Sequence, residues 1–137
     1  MQLTPLIAVH MSAAIGAVAI GPVALWARMG RSKRPVLHRA FGYAWVTLMV
    51  VTAVSAIFIR DFDLPNIAGY TPIHLLVPFT LGNLVLAFRY LLNKNTTGHR
   101  ITMQSLYLGA CIIAGAFTLL PSRYLGQLIW GQWLGLL

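Results

Sequence analysis

The sequence contains no glutamate, only two aspartates (Asp61 and Asp63) and a single cysteine, Cys111. Each scarcity excludes a class of chemistry. One cysteine cannot build a disulfide scaffold or a multi-cysteine zinc or iron–sulfur site. A catalytic carboxylate pair could come only from Asp61 and Asp63, which are near neighbours in the chain. Charged residues are 9% of the total, against about 25% in an ordinary soluble domain. Hydrophobic residues are 58% of the 137, which excludes disorder and leaves length for one domain. The chain has no P-loop, dinucleotide fingerprint or nucleophile elbow, and no Cys-x-x-Cys-His run for a covalently attached c-type haem.

What the chain does have is long apolar runs. A helix needs roughly 20 apolar residues to cross a bilayer. Four stretches qualify, at about 6–27, 40–59, 72–92 and 101–120, and none holds an acid. Arg89 lies near the end of the third and can snorkel to the surface. Peptide groups in lipid must bond internally, so these stretches are expected to be helices. Short connections make neighbours antiparallel. The expected fold is therefore all-α: an integral membrane four-helix bundle running up-down-up-down, one domain over 1–137. The tail at about 124–137 is too short to span. Its Trp130 and Trp133 suit an interfacial helix, or contact with a partner subunit. The first residues carry no positive charge, so the N-terminus does not read as a signal peptide.

The cations set an orientation. Arg28, Arg31, Lys33, Arg34 and Arg39 fall in or beside the first connection; Arg89, Lys94 and Arg100 fall around the third. Only Arg60 and Arg123 are on the other side. The positive-inside rule then places both termini outside the cytoplasm of a bacterial inner membrane. The net charge of +8 is read as topology plus contact with anionic membrane lipid, not as nucleic-acid binding.

The halves resemble each other. Thr4-Pro5 opens the first span and Thr71-Pro72 the third; His38-Arg39 precedes the second and His99-Arg100 the fourth. Two repeated helical hairpins are expected, related by an axis along the membrane normal. Each span carries one histidine. His10 and His74 fall at the outer level, His38 and His99 at the inner level. The symmetry would set His10 opposite His74, and His38 opposite His99. A haem b iron takes two axial imidazoles from facing helices, so up to two haems could stack across the membrane, with irons roughly 20 Å apart. His10 leads a stripe of Ala14, Ala17, Gly21 and Ala24 that leaves room for a macrocycle or for close helix packing. Gly42 follows His38 by one turn, and Arg39 and Arg100 could pair with haem propionates. Met103, one turn after His99, offers a His/Met variant. The His10–His74 site ranks first on sequence, because His10 lies inside an apolar run. Interfacial placement alone would explain His38 and His99.

The pattern of His10, His38-Arg39-x-x-Gly42, His74 and His99-Arg100-x-x-Met103 resembles a family of predicted four-helix bacterial membrane proteins of unassigned function. The resemblance covers the chain to about Pro121 and implies an integral four-helix membrane protein. The layout is also similar to that of the transmembrane di-haem cytochromes b, although there one helix often carries two ligands. The first functional expectation is electron transfer by a b-type cytochrome with one or two haems, exchanging electrons with quinone, superoxide or a redox partner protein. Any enzyme activity would be that of a haem-dependent membrane oxidoreductase. The alternative is a cofactor-free accessory or scaffold subunit. A small transporter ranks last, because no charged residue sits mid-membrane to mark a pathway.

Overall fold

A computed structural model of the chain describes residues 3–29, 33–62 and 65–136. Arg31, Asp63 and the tail's last residue, Leu137, lie outside the described residues. Among the described residues, four helical stretches are long and apolar enough to cross a membrane: Pro5–Trp26, Pro35–Phe58, Pro72–Leu92 and Thr96–Thr118. The chain is thus the expected all-α, four-helix membrane bundle.

Helix α1 (Pro5–Trp26) starts where Thr4 Oγ1 accepts the Ile7 N–H at 3.3 Å and Pro5 fills the first position, where no donor is needed. Its buried face is Ala13, Ala17, Gly21 and Ala24, so the seam is made of small residues that let backbones approach. Helix α2 (Pro35–Phe58) begins about five residues before its apolar run. Pro35 at the first position starts it, and helix propagation needs no apolar side chain. The third span opens with a 3-10 turn (Pro72–Leu75) and continues as α3 (Leu76–Leu92). The fourth opens as α4 (Thr96–Leu106), capped by Asn95 Oδ1 accepting the Gly98 N–H at 2.8 Å. It widens to a π-helical segment (Tyr107–Ile113) and returns to α-helix as α5 (Ala114–Thr118).

The chain packs as two hairpins. Helix α1 lies mainly against α2, and α3 against α4. They meet through Ala17, Trp45, Met49, Leu84, Leu106 and Cys111, which form the buried core. One polar contact crosses this seam for a reason local to α1. Pro22 has no N–H, so the carbonyl of Val18, four residues earlier, loses its helical donor. The Tyr107 hydroxyl donates to that carbonyl at 3.0 Å. In a membrane span such a group must find a protein partner, and here the first residue of the π-helical segment supplies it.

At the opposite end the chain folds back on itself. The tail comprises α6 (Tyr124–Gly126) and a second π-helical segment (Gln127–Trp133). Arg123 pairs with the buried carboxylate of Asp61 in the α2–α3 connection. Trp130 Nε1–H donates to the Leu119 carbonyl at 2.7 Å, which turns that tryptophan onto its own chain. Trp133 stays 77% exposed.

Candidate functional site

The described basic residues of the first and third connections share one end of the bundle with His38 and His99. His38 is the fourth residue of α2 and His99 the fourth of α4. His38 Nδ1 lies 2.8 Å from the carbonyl of Ala24, in the last turn of α1. Carbonyls in a helix's last turn lack helical donors, so an imidazole N–H fits there. His99 Nδ1 lies 3.0 Å from the carbonyl of Ala87 on α3. A carbonyl only accepts, so in both rings Nδ1 carries the proton and Nε2 is left as the lone-pair atom. Each hairpin therefore holds its histidine through Nδ1 on a carbonyl of its first helix, in the last turn for Ala24 and before the last turn for Ala87. Phe88 meets the His99 ring edge-on, with centroids 6.5 Å apart, and helps to set its plane.

His38 and His99 line one cavity of about 710 Å³ between the hairpins. That is within the range of a cofactor or small-molecule site. Its deep end is walled by Gly21, Trp45 and Tyr107. A Cβ on Gly21 would come within 2.4 Å of the Tyr107 ring and 3.0 Å of Trp45 Nε1, so only glycine permits this approach. The indole N–H of Trp45 is buried and makes no hydrogen bond among the described residues, with the weak sulfur acceptor of Cys111 as its neighbour. Gly42, one turn after His38, also lines the cavity, and a Cβ there would meet nothing within 4 Å. Arg28, Lys33, Arg39 and Arg100 line the mouth, and among the described residues no acidic side chain does. Met103 is in the wall.

The other two histidines are placed differently. His10 Nδ1 lies 3.0 Å from the Thr52 carbonyl and 3.0 Å from Ser55 Oγ, both on α2. Ser55 itself donates to the Thr52 carbonyl, so His10 Nδ1 carries the proton here too. His74 spends both nitrogens. The Thr71 N–H donates to its Nδ1 at 3.1 Å, closing a capping box, and its Nε2 lies 2.9 Å from the Ile59 carbonyl just past α2. This ring ties the start of the third span to the end of the second. Both imidazoles thus dock on the same end of α2, within two helical turns of each other.

The structure brings His38, His99, Arg39, Arg100 and Gly42 together around one cavity, and sets His10 and His74 at the far end of the bundle. Sequence reasoning passed over Trp45 and Tyr107 as cavity walls, Arg28 and Lys33 as mouth residues, and the Nδ1 anchors; Gly21 it placed only in the small-residue stripe of His10. One available signal was the pair of helix starts, Pro35 and Asn95-x-x-Gly98, which put each histidine inside its helix rather than before it. Among the described residues, no three His, Cys, Asp or Glu side chains gather into a metal-binding group.

A family model described as "Predicted membrane protein (DUF2306)" matches residues 7–130. No curated protein and no solved structure matches the chain.

Proposed function

We propose that this chain, which belongs to the DUF2306 family of predicted membrane proteins, is a b-type cytochrome that moves electrons at or across a membrane, with its principal haem held by His38 and His99. The observation that carries the reading is the matched pair of imidazoles at one cavity, each fixed through Nδ1 to a backbone carbonyl and each leaving Nε2 as the ligand atom. Hydrogen bonding of Nδ1–H to a carbonyl sets the tautomer, fixes the ring plane and raises ligand basicity.

The donor set also fits the group. Two imidazoles alone leave a six-coordinate metal four ligands short, and a porphyrin supplies those four in a plane. Bound haem would provide a one-electron iron couple. Gly42 would leave space beside His38 for the macrocycle edge. Arg39 and Arg100, at the mouth, would pair with the propionates and orient the ring with its carboxylates toward water. Phe88 would keep the His99 ring from rotating.

The His10–His74 pair, ranked first on sequence, now ranks second. Its His74 would have to give up the Ile59 carbonyl to offer Nε2 to iron. The basic end would face the cytoplasm of a bacterial plasma membrane, with both termini on the other side.

The test is an absorption spectrum of the purified chain expressed with ample haem, before and after dithionite. A Soret band, a reduced α-band and about one haem per chain are expected. A colourless protein would overturn the reading and leave the cofactor-free accessory or scaffold subunit in its place.

A further inference from the structure

The cavity mouth is unusual in charge as well as in shape. Arg28, Lys33, Arg39 and Arg100 all line it, although they come from the first connection and from the starts of α2 and α4. Four of the seven described cations at this end therefore converge on one opening and are not spread around the lipid-facing perimeter. A fifth, Arg34, stacks over Trp26 at 5.0 Å on the same end. Among the described residues no acid offsets them: Asp61 lies in the α2–α3 connection, paired with Arg123 at the other end. Thr96 and Thr97, in the first turn of α4, also line the mouth, so it opens at the water-facing end of the helices. A cleft of one sign with low-dielectric walls focuses its field and raises the on-rate of an oppositely charged partner by roughly 10–10³.

We propose that this mouth is the docking surface for an acidic soluble electron-transfer protein, a proposal that rests on the haem reading above. The partner's acidic face would sit over Arg28 and Lys33, while Arg39 and Arg100 are engaged by the propionates. One electron would pass between the partner's cofactor and the bound haem, the one oxidised as the other is reduced, with no bond made or broken. Cations set only by lipid contact would have no reason to gather at an opening shared by both hairpins. The convergence fits a partner that must approach the histidine pair itself.

The experiment uses the full chain, with its Soret band verified, in nanodiscs of uncharged phosphatidylcholine. Reduced flavodoxin, an acidic protein, is the probe. Its binding to the discs and the rate of haem reduction are followed at about 10 mM and about 300 mM salt. Both should fall at least about tenfold with salt. Both should fall comparably at low salt in Arg28→Gln/Lys33→Gln, whose Soret band should be unchanged. The methyl viologen radical cation, as counter-probe, should reduce the haem faster as salt rises. Flavodoxin binding and rates indifferent to salt and to the two substitutions would overturn the proposal. So would an effect of the substitutions seen only when anionic lipid is added to the discs, which would assign these cations to lipid. A normal Soret band with charge-blind kinetics removes this proposal alone, whereas a missing band removes the haem reading and this proposal with it.

Discussion

Both ends of the bundle carry two histidines, and His74 is used differently from the other three, which each bond through Nδ1 alone. At the basic end each ring spends one nitrogen on a backbone carbonyl and turns to a shared cavity. At the opposite end His74 spends both nitrogens, on the Thr71 N–H and the Ile59 carbonyl, and acts as a staple between two spans. The residue type is the same and the sequence positions are nearly symmetric. What differs is the backbone each ring meets. A lone helix carbonyl, Ala24 or Ala87, takes one N–H and leaves the far nitrogen alone. A capping box takes Nδ1 as an acceptor and so forces the proton to Nε2, where a second carbonyl takes it. Pattern in a sequence can thus nominate histidines as ligands, but the hydrogen bonds each ring makes set His74 apart from the other three.

The sharpest way to break this comparison is to remove each ring in turn. His38→Ala or His99→Ala should abolish essentially all haem absorbance in the purified protein, whereas His74→Ala should retain the Soret band. A band that survives both basic-end substitutions and disappears with His74 would invert the assignment.

Next in size is Gly42→Leu. The side chain would enter open cavity space and meet no neighbour at its Cβ. Haem content should fall by roughly tenfold, while thermal stability in detergent changes by no more than about 0.5 kcal/mol, as for substitutions outside packed contacts. A variant that binds haem normally would place the macrocycle elsewhere.

The staple makes a smaller prediction, in stability alone. His74→Ala strands the Thr71 N–H and the Ile59 carbonyl, which should cost about 1–3 kcal/mol and lower the thermal midpoint. His74→Gln, able to replace one of the two bonds, should recover part of the loss. No loss of stability in either variant would mean that the two ends are not distinguished in this way.

The smallest effect belongs to the seam between the hairpins. Tyr107→Phe should cost about 0.6–1 kcal/mol, the scale of one hydrogen bond inside a membrane protein. In a Pro22→Ala background the same substitution should cost less, because the backbone N–H regained at that position would give the Val18 carbonyl a helical donor again. A double-mutant cycle with zero coupling would show that the tyrosine does not serve that carbonyl.

Much of this was legible from the residues alone. The four spans follow from apolar run length, and the structure changes only their ends. It extends the second back to Pro35 and the fourth back to Thr96, because caps rather than hydropathy decide where helices start. His38, Arg39, His99 and Arg100 stood out by their repeat spacing and Gly42 by its place one turn after His38, and the structure lines one cavity with all five. Arg28 and Lys33 were visible only as topology signals. Tyr107 and Trp45 gave no signal, since an aromatic in an apolar helix looks the same whether it faces lipid, core or cavity. Their neighbours Gly21 and Pro22 carried the hint. A glycine and a proline in one turn mark a close approach and a freed carbonyl, but not which residue answers them.

The sequence by itself determined the solvent, the number of crossings and the charge asymmetry between the two ends. Those depend on composition along the chain, which folding does not change. Only the tertiary structure decided which histidines keep an open nitrogen, because that depends on which backbone carbonyl or amide lies within about 3 Å of each ring. Ala24 and Ala87 serve as acceptors solely because each hairpin folds the start of its second helix against its first. The cavity likewise belongs to neither hairpin. It arises where Gly21 and Gly42 of the first hairpin face Phe88, His99 and Tyr107 of the second, and it turns four separate cations into one charged mouth.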